Sequence, residues 1–202
     1  MGQAIVEVFA DPNWEVSAPR RCELDVGDSE AIQEHLKSRR VDLLVCAAGI
    51  TGDMPLIHLD ESTWADVIAV NYQAAANCAA AVLPQMVTRG SGHVIFISSF
   101  AALHPAVGQS AYATAKAALL GLNASLARRY GEYGIRVNVI LPGFLETRMT
   151  ETVTAKRKTE ILANHSLGRF NTPQTVAKFI RSLHEDLPHT SGQVFQLDSR
   201  IS

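Results

Sequence analysis

The chain has 202 residues, of which 47% are hydrophobic and 19% are charged, a balance that is ordinary for a compact folded domain. Its net charge of −2 excludes the strongly basic surface with which a protein binds nucleic acid or an anionic membrane. The length allows one hydrophobic core of substantial size, so we expect residues 1–202 to form a single domain.

Cysteines, histidines and apolar runs bear on metal binding and on the cellular compartment. Cys22, Cys46 and Cys78 are far apart in the sequence, and the seven histidines lack ligand spacing, so we expect neither a disulfide framework nor a metal site. We find no signal peptide and no apolar run of about 20 residues, the length that a membrane helix needs. These features predict a cytoplasmic protein with no membrane partner.

Apolar runs alternate with amphipathic stretches, which predicts a parallel sheet covered by helices on both faces. Residues 3–9 form a helix or, judged by their own apolar run, a strand. Two short strands are predicted at residues 14–19 and 21–25. An aspartate then caps a helix over residues 28–38. The apolar run at residues 41–47 predicts a strand buried on both faces.

The central part of the chain continues this alternation. A long, alanine-rich helix is predicted over residues 62–86, and a strand over residues 93–98. The next helix covers residues 111–130 and ends at a glycine. It leads into an apolar strand at residues 135–141.

The last part of the chain completes the predicted sheet. Residues 149–171 are polar and partly helical, and Thr172-Pro173 begins another helix. Residues 193–197 form a final strand. The whole pattern predicts an α/β fold with a doubly wound parallel sheet.

Ser99, Tyr112 and Lys116 form the most informative pattern in the sequence. Tyr112 and Lys116 are four residues apart, so they lie about one turn apart on one face of the predicted helix. A neighbouring ammonium favours the phenolate and should lower the tyrosine pKa from its usual value of about 10. Ser99 follows a predicted strand and would bring a hydroxyl to the same volume. This arrangement suits proton transfer to or from a carbonyl or alcohol oxygen.

Together with other motifs, this pattern closely resembles the active site of the short-chain dehydrogenase/reductase superfamily. Ile97-Ser98-Ser99 precedes the Tyr-x-x-x-Lys motif as in that family. Asn71 matches the asparagine that completes the family's catalytic tetrad, and residues 135–143 match its strand that ends in Pro-Gly beside the nicotinamide. Residues 167–170 and 191–195 resemble the closing segment of the bacterial 3-oxoacyl-carrier-protein-reductase-like branch.

The resemblance implies a three-layer, Rossmann-like fold and hydride transfer between a nicotinamide cofactor and a carbonyl or alcohol carbon. A 3-oxoacyl group, carried as an acyl thioester, is the leading substrate. Tyr112 would be the general acid, or the base in the reverse direction, and Lys116 would bind the nicotinamide ribose. Ser99 would orient the substrate oxygen, and Asn71 would hold a water in the proton relay. Helices 62–86 and 111–130 would form the interface of a homodimer or homotetramer.

A larger set of residues is assigned to the cofactor, namely Gly2, Arg20, Asp25, Val26, Ala47, Ala48, Gly49, Tyr112, Lys116, Pro142, Gly143, Leu145 and Thr147. Asp25 would accept a hydrogen bond from the adenine amino group; the alternative is a turn or cap residue. Arg20 or Arg21 would bind a ribose 2′-phosphate, because a guanidinium binds phosphate through two parallel hydrogen bonds. This predicts NADP(H) in preference to NAD(H); the alternative is two solvated arginines. Ala47 replaces the asparagine that is usual in the family.

The family's opening strand and its Thr-Gly-x-x-x-Gly-x-Gly turn, which binds the cofactor's pyrophosphate, have no counterpart here. Gly2 resembles the last glycine of that turn. We expect either a strand at residues 4–9 that fills the gap, or a rearrangement of residues 1–25, and in both cases weakened NADP(H) binding. Two alternatives stay open: a cofactor-poor, non-catalytic relative that acts as a binding or scaffold protein, and a coding sequence that begins upstream of Met1.

Overall fold

The computed structural model describes residues 1–200. Its core is a parallel sheet with the strand order β1–β2–β3–β4, formed by β1 (Leu43–Cys46), β2 (Gly92–Ile97), β3 (Ile135–Leu141) and β4 (Val194–Gln196). The α-helices of the described chain are α1 (Gly2–Val8), α2 (Ser29–Lys37), α3 (Glu61–Ile68), α4 (Ala74–Arg89), α5 (Ser110–Tyr130), α6 (Ala155–Ala163) and α7 (Pro173–Glu185). The predicted α/β class is confirmed.

Alternate residues of the central strands face opposite helical layers. Val94 and Phe96 of β2 lie in a buried cluster with residues of α2, α4 and α5. Ile95 and Ile97 lie in a second cluster with Phe9 and residues of α7. Because successive strand residues point to opposite faces, β2 is buried on both sides and the fold has three layers. The doubly wound, Rossmann-like architecture is therefore confirmed.

The first 42 residues depart most from the predicted elements. Residues 3–9 adopt the helical alternative, as α1, and not the gap-filling strand. Residues 14–19 and 21–25 form no strand, so both strand predictions are wrong. A strand needs a neighbour to satisfy its backbone, and within residues 1–200 the outer edge of β1 pairs with no other strand.

Strand β1 is consequently the edge of the described sheet. Its four residues are only partly buried, whereas the sequence predicted a strand covered on both faces. Its register to β2 is regular, with Leu44 opposite Val94 and Cys46 opposite Phe96. The carboxyl ends of β1, β2 and β3 therefore lie side by side at one edge of the sheet, and the polypeptide that follows each strand meets there.

The segment around α1 docks on α7. Arg181 donates to the carbonyl oxygen of Val8 at 3.0 Å and forms an ion pair with Asp11 at 2.7 Å. The Trp14 indole donates to Glu185 at 3.1 Å, and Phe9 is buried against the sheet. These contacts place the N-terminal helix on the second face of the sheet.

The helical stretch Glu61–Arg89 is longer and more apolar than the sequence analysis expected. By length and composition alone, it could cross a membrane. Some of its apolar side chains belong to the core that covers β2, including Ala79, Val82, Leu83 and Met86. Because 39% of the most apolar 18-residue window is buried, packing against the sheet accounts for part of the composition of this helix.

Candidate active site

Ser99 follows β2 at the carboxyl edge of the sheet. Its hydroxyl accepts a hydrogen bond from the Ala101 N–H at 3.2 Å and so caps the short 3₁₀ turn Phe100–Ala102. Ser98, its neighbour, is buried and donates to the Lys116 carbonyl oxygen at 2.8 Å. Ser98 is therefore tied into the packing between β2 and α5, and Ser99 is the serine that remains partly exposed.

Tyr112 and Lys116 lie one turn apart near the start of α5, as the sequence predicted. The Lys116 ammonium is 5.8 Å from the centroid of the Tyr112 ring and donates to the Ile97 carbonyl oxygen at 3.0 Å. Only 4% of Lys116 is exposed. Because burial disfavours the charged form, it lowers the pKa of Lys116 to about 8. A buried cation thus lies at the end of β2.

The pKa of Tyr112 is shifted opposite to the sequence-based expectation. Burial raises it above the usual value of 10, and the negative charge of Asp53 raises it further, while the nearby Ser99 hydroxyl opposes the shift. Lys116 does not outweigh these effects, because its ammonium is directed to the Ile97 carbonyl oxygen. Tyr112 is therefore protonated at neutral pH, the form required of a proton donor.

Asn71 lies in a π-helical turn, Ala69–Gln73, between α3 and α4. Such turns interrupt helices frequently at functional sites. The buried Asn71 amide donates to the carbonyl oxygens of Ile50 and Val67, at 2.8 and 2.9 Å. Its Oδ1 is buried and has no hydrogen-bond partner within residues 1–200. This acceptor lies beside Gly49, where an added Cβ would approach it to 2.8 Å.

The residues predicted to line the nicotinamide side of the site follow β1 and β3 at the same edge. They are Ala47, Ala48 and Gly49 after β1, and Pro142, Gly143, Leu145 and Thr147 after β3. A Cβ on Gly49 would lie 3.6 Å from the Lys116 ammonium, which puts the segment after β1 next to Lys116. Gly143 has a φ of +82°, a conformation that favours glycine. These seven residues lie at the same edge of the sheet, and their contact with a cofactor stays a prediction.

Three of the residues predicted for the adenosine side, Arg20, Arg21 and Asp25, form hydrogen bonds and ion pairs only with near neighbours in the chain. Arg20 and Arg21 have side chains that are 80% and 85% exposed, and they pair with Glu23 at 3.3 Å and Asp25 at 3.7 Å. Asp25 also accepts from the Gly27 N–H at 2.9 Å. Asp25 is thus a turn residue and not the end of a strand, because the predicted strand at residues 21–25 does not form.

The two remaining adenosine-side predictions have different environments. Val26 packs against the core cluster that contains α2 and α4. Gly2 begins α1, with open space around the position of a Cβ. Neither residue is tied by a hydrogen bond to the catalytic residues.

Asp53 is a site residue that sequence reasoning missed. Its carboxylate accepts from Gln109 at 2.9 Å, and the Met54 N–H donates to the Gly108 carbonyl oxygen at 2.8 Å. These contacts join the loop after β1 to the loop before α5 and bring a negative charge toward Tyr112. Its position in the loop that follows β1 could have indicated this, because ligands bind at the carboxyl ends of parallel strands.

Potential metal ligands are not clustered in the part of the chain that the structure describes. Among residues 1–200, no group of three or more His, Cys, Asp or Glu side chains could hold a metal ion. The three cysteines are free thiols, with Cys46 and Cys78 packed against the same core cluster.

Known proteins resemble this chain in sequence and in structure. The family model for short chain dehydrogenases matches residues 20–158. A 3-oxoacyl-[acyl-carrier-protein] reductase FabG from Thermotoga maritima is 36% identical over 88% of this chain and 75% of its own length. A (3R)-3-hydroxyacyl-CoA dehydrogenase from Mus musculus is 35% identical over 94% of this chain and 78% of its own length.

A solved structure gives the same result. A crystal structure from Beutenbergia cavernae, assigned to an NAD(P)-dependent gluconate 5-dehydrogenase with NADP bound at low occupancy, superposes with a TM-score of 0.84. It is 31% identical, and the match covers 87% of this chain and 73% of that one.

A Rossmann-like sheet whose carboxyl edge holds a serine, a tyrosine and a lysine defines an NAD(P)-dependent oxidoreductase. The chain belongs to the short-chain dehydrogenase/reductase family, in the branch that resembles the bacterial 3-oxoacyl-carrier-protein reductases. The predicted family and enzyme class are confirmed, and the comparisons do not favour the non-catalytic alternative.

Proposed function

We propose that the chain reduces the 3-oxo group of an acyl thioester, with NADPH as the reductant. The observation that carries the proposal is the half-buried, protonated Tyr112 beside Ser99 and Lys116 at the carboxyl edge of the sheet. The names of the bacterial and mouse relatives, a 3-oxoacyl reductase and a 3-hydroxyacyl dehydrogenase, support this substrate class.

The residues at this edge fit the nicotinamide half of the cofactor. Gly49 lies beside Asn71 and Lys116, so the end of β1 reaches these two side chains. Asn71 Oδ1 is a buried acceptor that lacks a protein partner in the described chain. Lys116 would bind a ribose hydroxyl, and Ala48, Pro142 and neighbouring residues would line the ring. When bound, the cofactor supplies the hydride.

The protein's own groups would manage the proton and the developing charge. Ser99 and Tyr112 would bind the substrate oxygen, and Tyr112 would donate its proton as negative charge builds on that oxygen. The Lys116 ammonium would stabilise the resulting phenolate, and Asn71 would hold a water through which Tyr112 is reprotonated. General acid catalysis of this kind contributes typically about 10²–10⁴-fold to the rate.

Exposed apolar side chains beside the site suit an acyl substrate. Met54 and Ile57 lie on the loop after β1, and Leu103 and Val107 lie on the loop after Ser99. The Met54 N–H hydrogen bond to Gly108 holds these two loops together. An acyl chain placed along them would remove apolar surface from water, which is favourable by about 0.8 kcal/mol per CH₂.

Turnover of NADPH in the presence of an acetoacetyl thioester tests the proposal. Tyr112→Phe keeps the ring and removes only the hydroxyl, so kcat should fall by at least about 10²-fold. The matched control is Tyr133→Phe, in the short 3₁₀ turn after α5, which should keep the parent rate. If Tyr112→Phe retains the parent rate within a few-fold, Tyr112 is not the proton donor.

For the assembly, we propose a homodimer or homotetramer formed through α4 and α5. An open, mainly apolar groove runs between these helices, lined among others by Ala80, Leu83, Leu122 and Leu126. Covering it with a second copy would bury this apolar surface. Sedimentation velocity should show an oligomer that Ala80→Glu dissociates; a monomeric parent protein would overturn this assignment.

A further inference from the structure

We propose that Arg200, together with Asp198, is a positioning residue for Ser99. Only the kinetic test of this inference rests on the proposed function, because the inference itself concerns how Ser99 is held in place. Neither residue belongs to the predicted site, and both follow β4, far from Ser99 in sequence.

The contact between Arg200 and Phe100 carries the inference. The Arg200 guanidinium carbon lies 3.4 Å from the centroid of the Phe100 ring, and the side chain is only 12% exposed. A guanidinium stacked on an aromatic face at this distance restricts the ring's movement. Phe100 is the residue directly after Ser99 and opens the turn that the Ser99 hydroxyl caps. The orientation of that hydroxyl therefore depends on a turn that Arg200 covers.

Asp198 holds the guanidinium in place. Its side chain is fully buried and accepts from Arg200 Nε at 2.6 Å and from Gln196 at 3.1 Å. Removing two charges from water costs several kcal/mol, so a buried pair is weak support for stability by itself. Its placement beside a catalytic turn points instead to a role in geometry.

The pair also reaches the other side of the site. Asp198 packs so closely on Gly143 that a Cβ there would lie 2.5 Å from the Asp198 Cβ. Asp198 and Arg200 thus join the loop after β3 to the turn after β2. The residue between them is anchored as well, because the Ser166 N–H donates to the Ser199 carbonyl oxygen at 3.0 Å.

Kinetics separates positioning from substrate binding. A misplacement of about 1 Å can cost roughly 10²-fold in rate, so Arg200→Ala should lower kcat about 10- to 100-fold and leave KM within about threefold. Arg200→Lys keeps a cation near the ring and should restore part of kcat. Arg169→Ala, an exposed neighbour on the loop after α6, is the matched control and should have no effect. A raised KM with unchanged kcat would overturn the proposal in favour of a direct substrate contact.

A double variant tests whether Arg200 acts through Ser99. If it does, Ser99→Ala combined with Arg200→Ala should be no slower than Ser99→Ala alone, because the positioned hydroxyl is already gone. Additive losses would contradict the proposal. A Tyr112-dependent enzyme that ignores Arg200→Ala overturns this inference and leaves the proposed function intact.

Hydrogen exchange supplies a readout that does not require turnover. Arg200→Ala should speed exchange of the Ala101 amide, which donates to Ser99, while the amides of β3 keep their protection. Unchanged exchange at Ala101 would refute the proposal, whatever the substrate turns out to be. Failure of the proposed function alone would abolish the kinetic differences and leave this local change.

Discussion

The catalytic edge and the segment from residue 10 to residue 28 are held in opposite ways. Lys116 is almost completely buried, and its ammonium is bound to the backbone of the central strand β2. Arg20 and Arg21 are largely exposed and bind carboxylates within four residues of themselves. The residues that we propose for catalysis are anchored in the core, whereas Arg20 and Arg21, predicted to bind the adenosine half of the cofactor, lie on a surface turn.

The difference follows from strand pairing. Strands β2 and β3 have a neighbour on each side, so the residues that follow them start from a rigid edge. Residues 10–28 have no strand to extend from and are held only through their contacts with α7 and the core. We therefore expect changes at the catalytic edge to have large effects on rate and stability, and changes in residues 10–28 to have small ones.

The largest effect on kcat is expected for Lys116→Met. It replaces the buried ammonium with an apolar side chain of similar length and removes the charge that stabilises a Tyr112 phenolate. Removal of one such electrostatic group costs about 10²–10³-fold, so kcat should fall by that factor. Lys178→Met, an exposed lysine on α7, is the control and should keep the parent kcat. Full activity in Lys116→Met would show that the buried ammonium does not contribute to the rate.

The lowered pKa of Lys116 predicts two opposite pH dependences. Above its pKa of about 8 the ammonium is lost, so kcat should fall by up to about tenfold per pH unit, while Tyr112, whose pKa is raised, stays protonated.

Stability should change in the other direction. Between pH 8 and the ordinary lysine pKa of 10.5, the unfolded chain binds more protons at this position than the folded one. The free energy of unfolding should therefore rise with pH in that window. Urea denaturation of the parent and of Lys116→Met at several pH values checks this. The difference between the two proteins in how the unfolding free energy changes with pH isolates the contribution of Lys116. An identical pH dependence in both proteins would show that burial does not lower the pKa of Lys116.

Two glycine-to-alanine changes should have opposite effects on the free energy of unfolding. At Gly49 a Cβ would lie 2.8 Å from Asn71 Oδ1, and Asn71 is fixed by two hydrogen bonds. Gly49→Ala should lower the free energy of unfolding by about 1–3 kcal/mol. Gly121, in the middle of α5, has open space around it, so Gly121→Ala should raise that free energy by roughly 0.5–1 kcal/mol. Urea denaturation measures both; equal effects would mean that the site is not tightly packed.

The smallest effect is expected at the early segment. If Arg20 and Arg21 bind the 2′-phosphate of NADPH, exposed pairs of this kind contribute roughly 0.2–1 kcal/mol, or up to about fivefold in affinity. The double change to alanine should weaken NADPH by that factor, leave NADH unchanged and leave the melting temperature unaffected. Calorimetric titration of both cofactors measures this, and equal affinities in the parent protein would end the assignment.

Much of the catalytic edge was predictable because its signals are local. The spacing of Tyr112 and Lys116 requires only that α5 be a helix, and the strands that became β2 and β3 are rich in β-branched and other apolar residues. The sequence also favoured Ser99 over Ser98 as the catalytic serine, and the hydrogen bond of Ser98 to the backbone of α5 supports this prediction. The early segment was not predictable in this way, because a short apolar run becomes a strand only where a neighbouring strand is available.

The family, the α/β class and the candidate catalytic side chains could be predicted from the sequence, because each prediction rests on residues close together in the chain. Only the tertiary structure decided the direction of the Tyr112 pKa shift, which burial and Asp53 raise although a lysine lies one turn away. It also brought Arg200 onto Phe100, half the chain away. Burial and charge at a point in space depend on every element that packs there, and no local spacing records that sum.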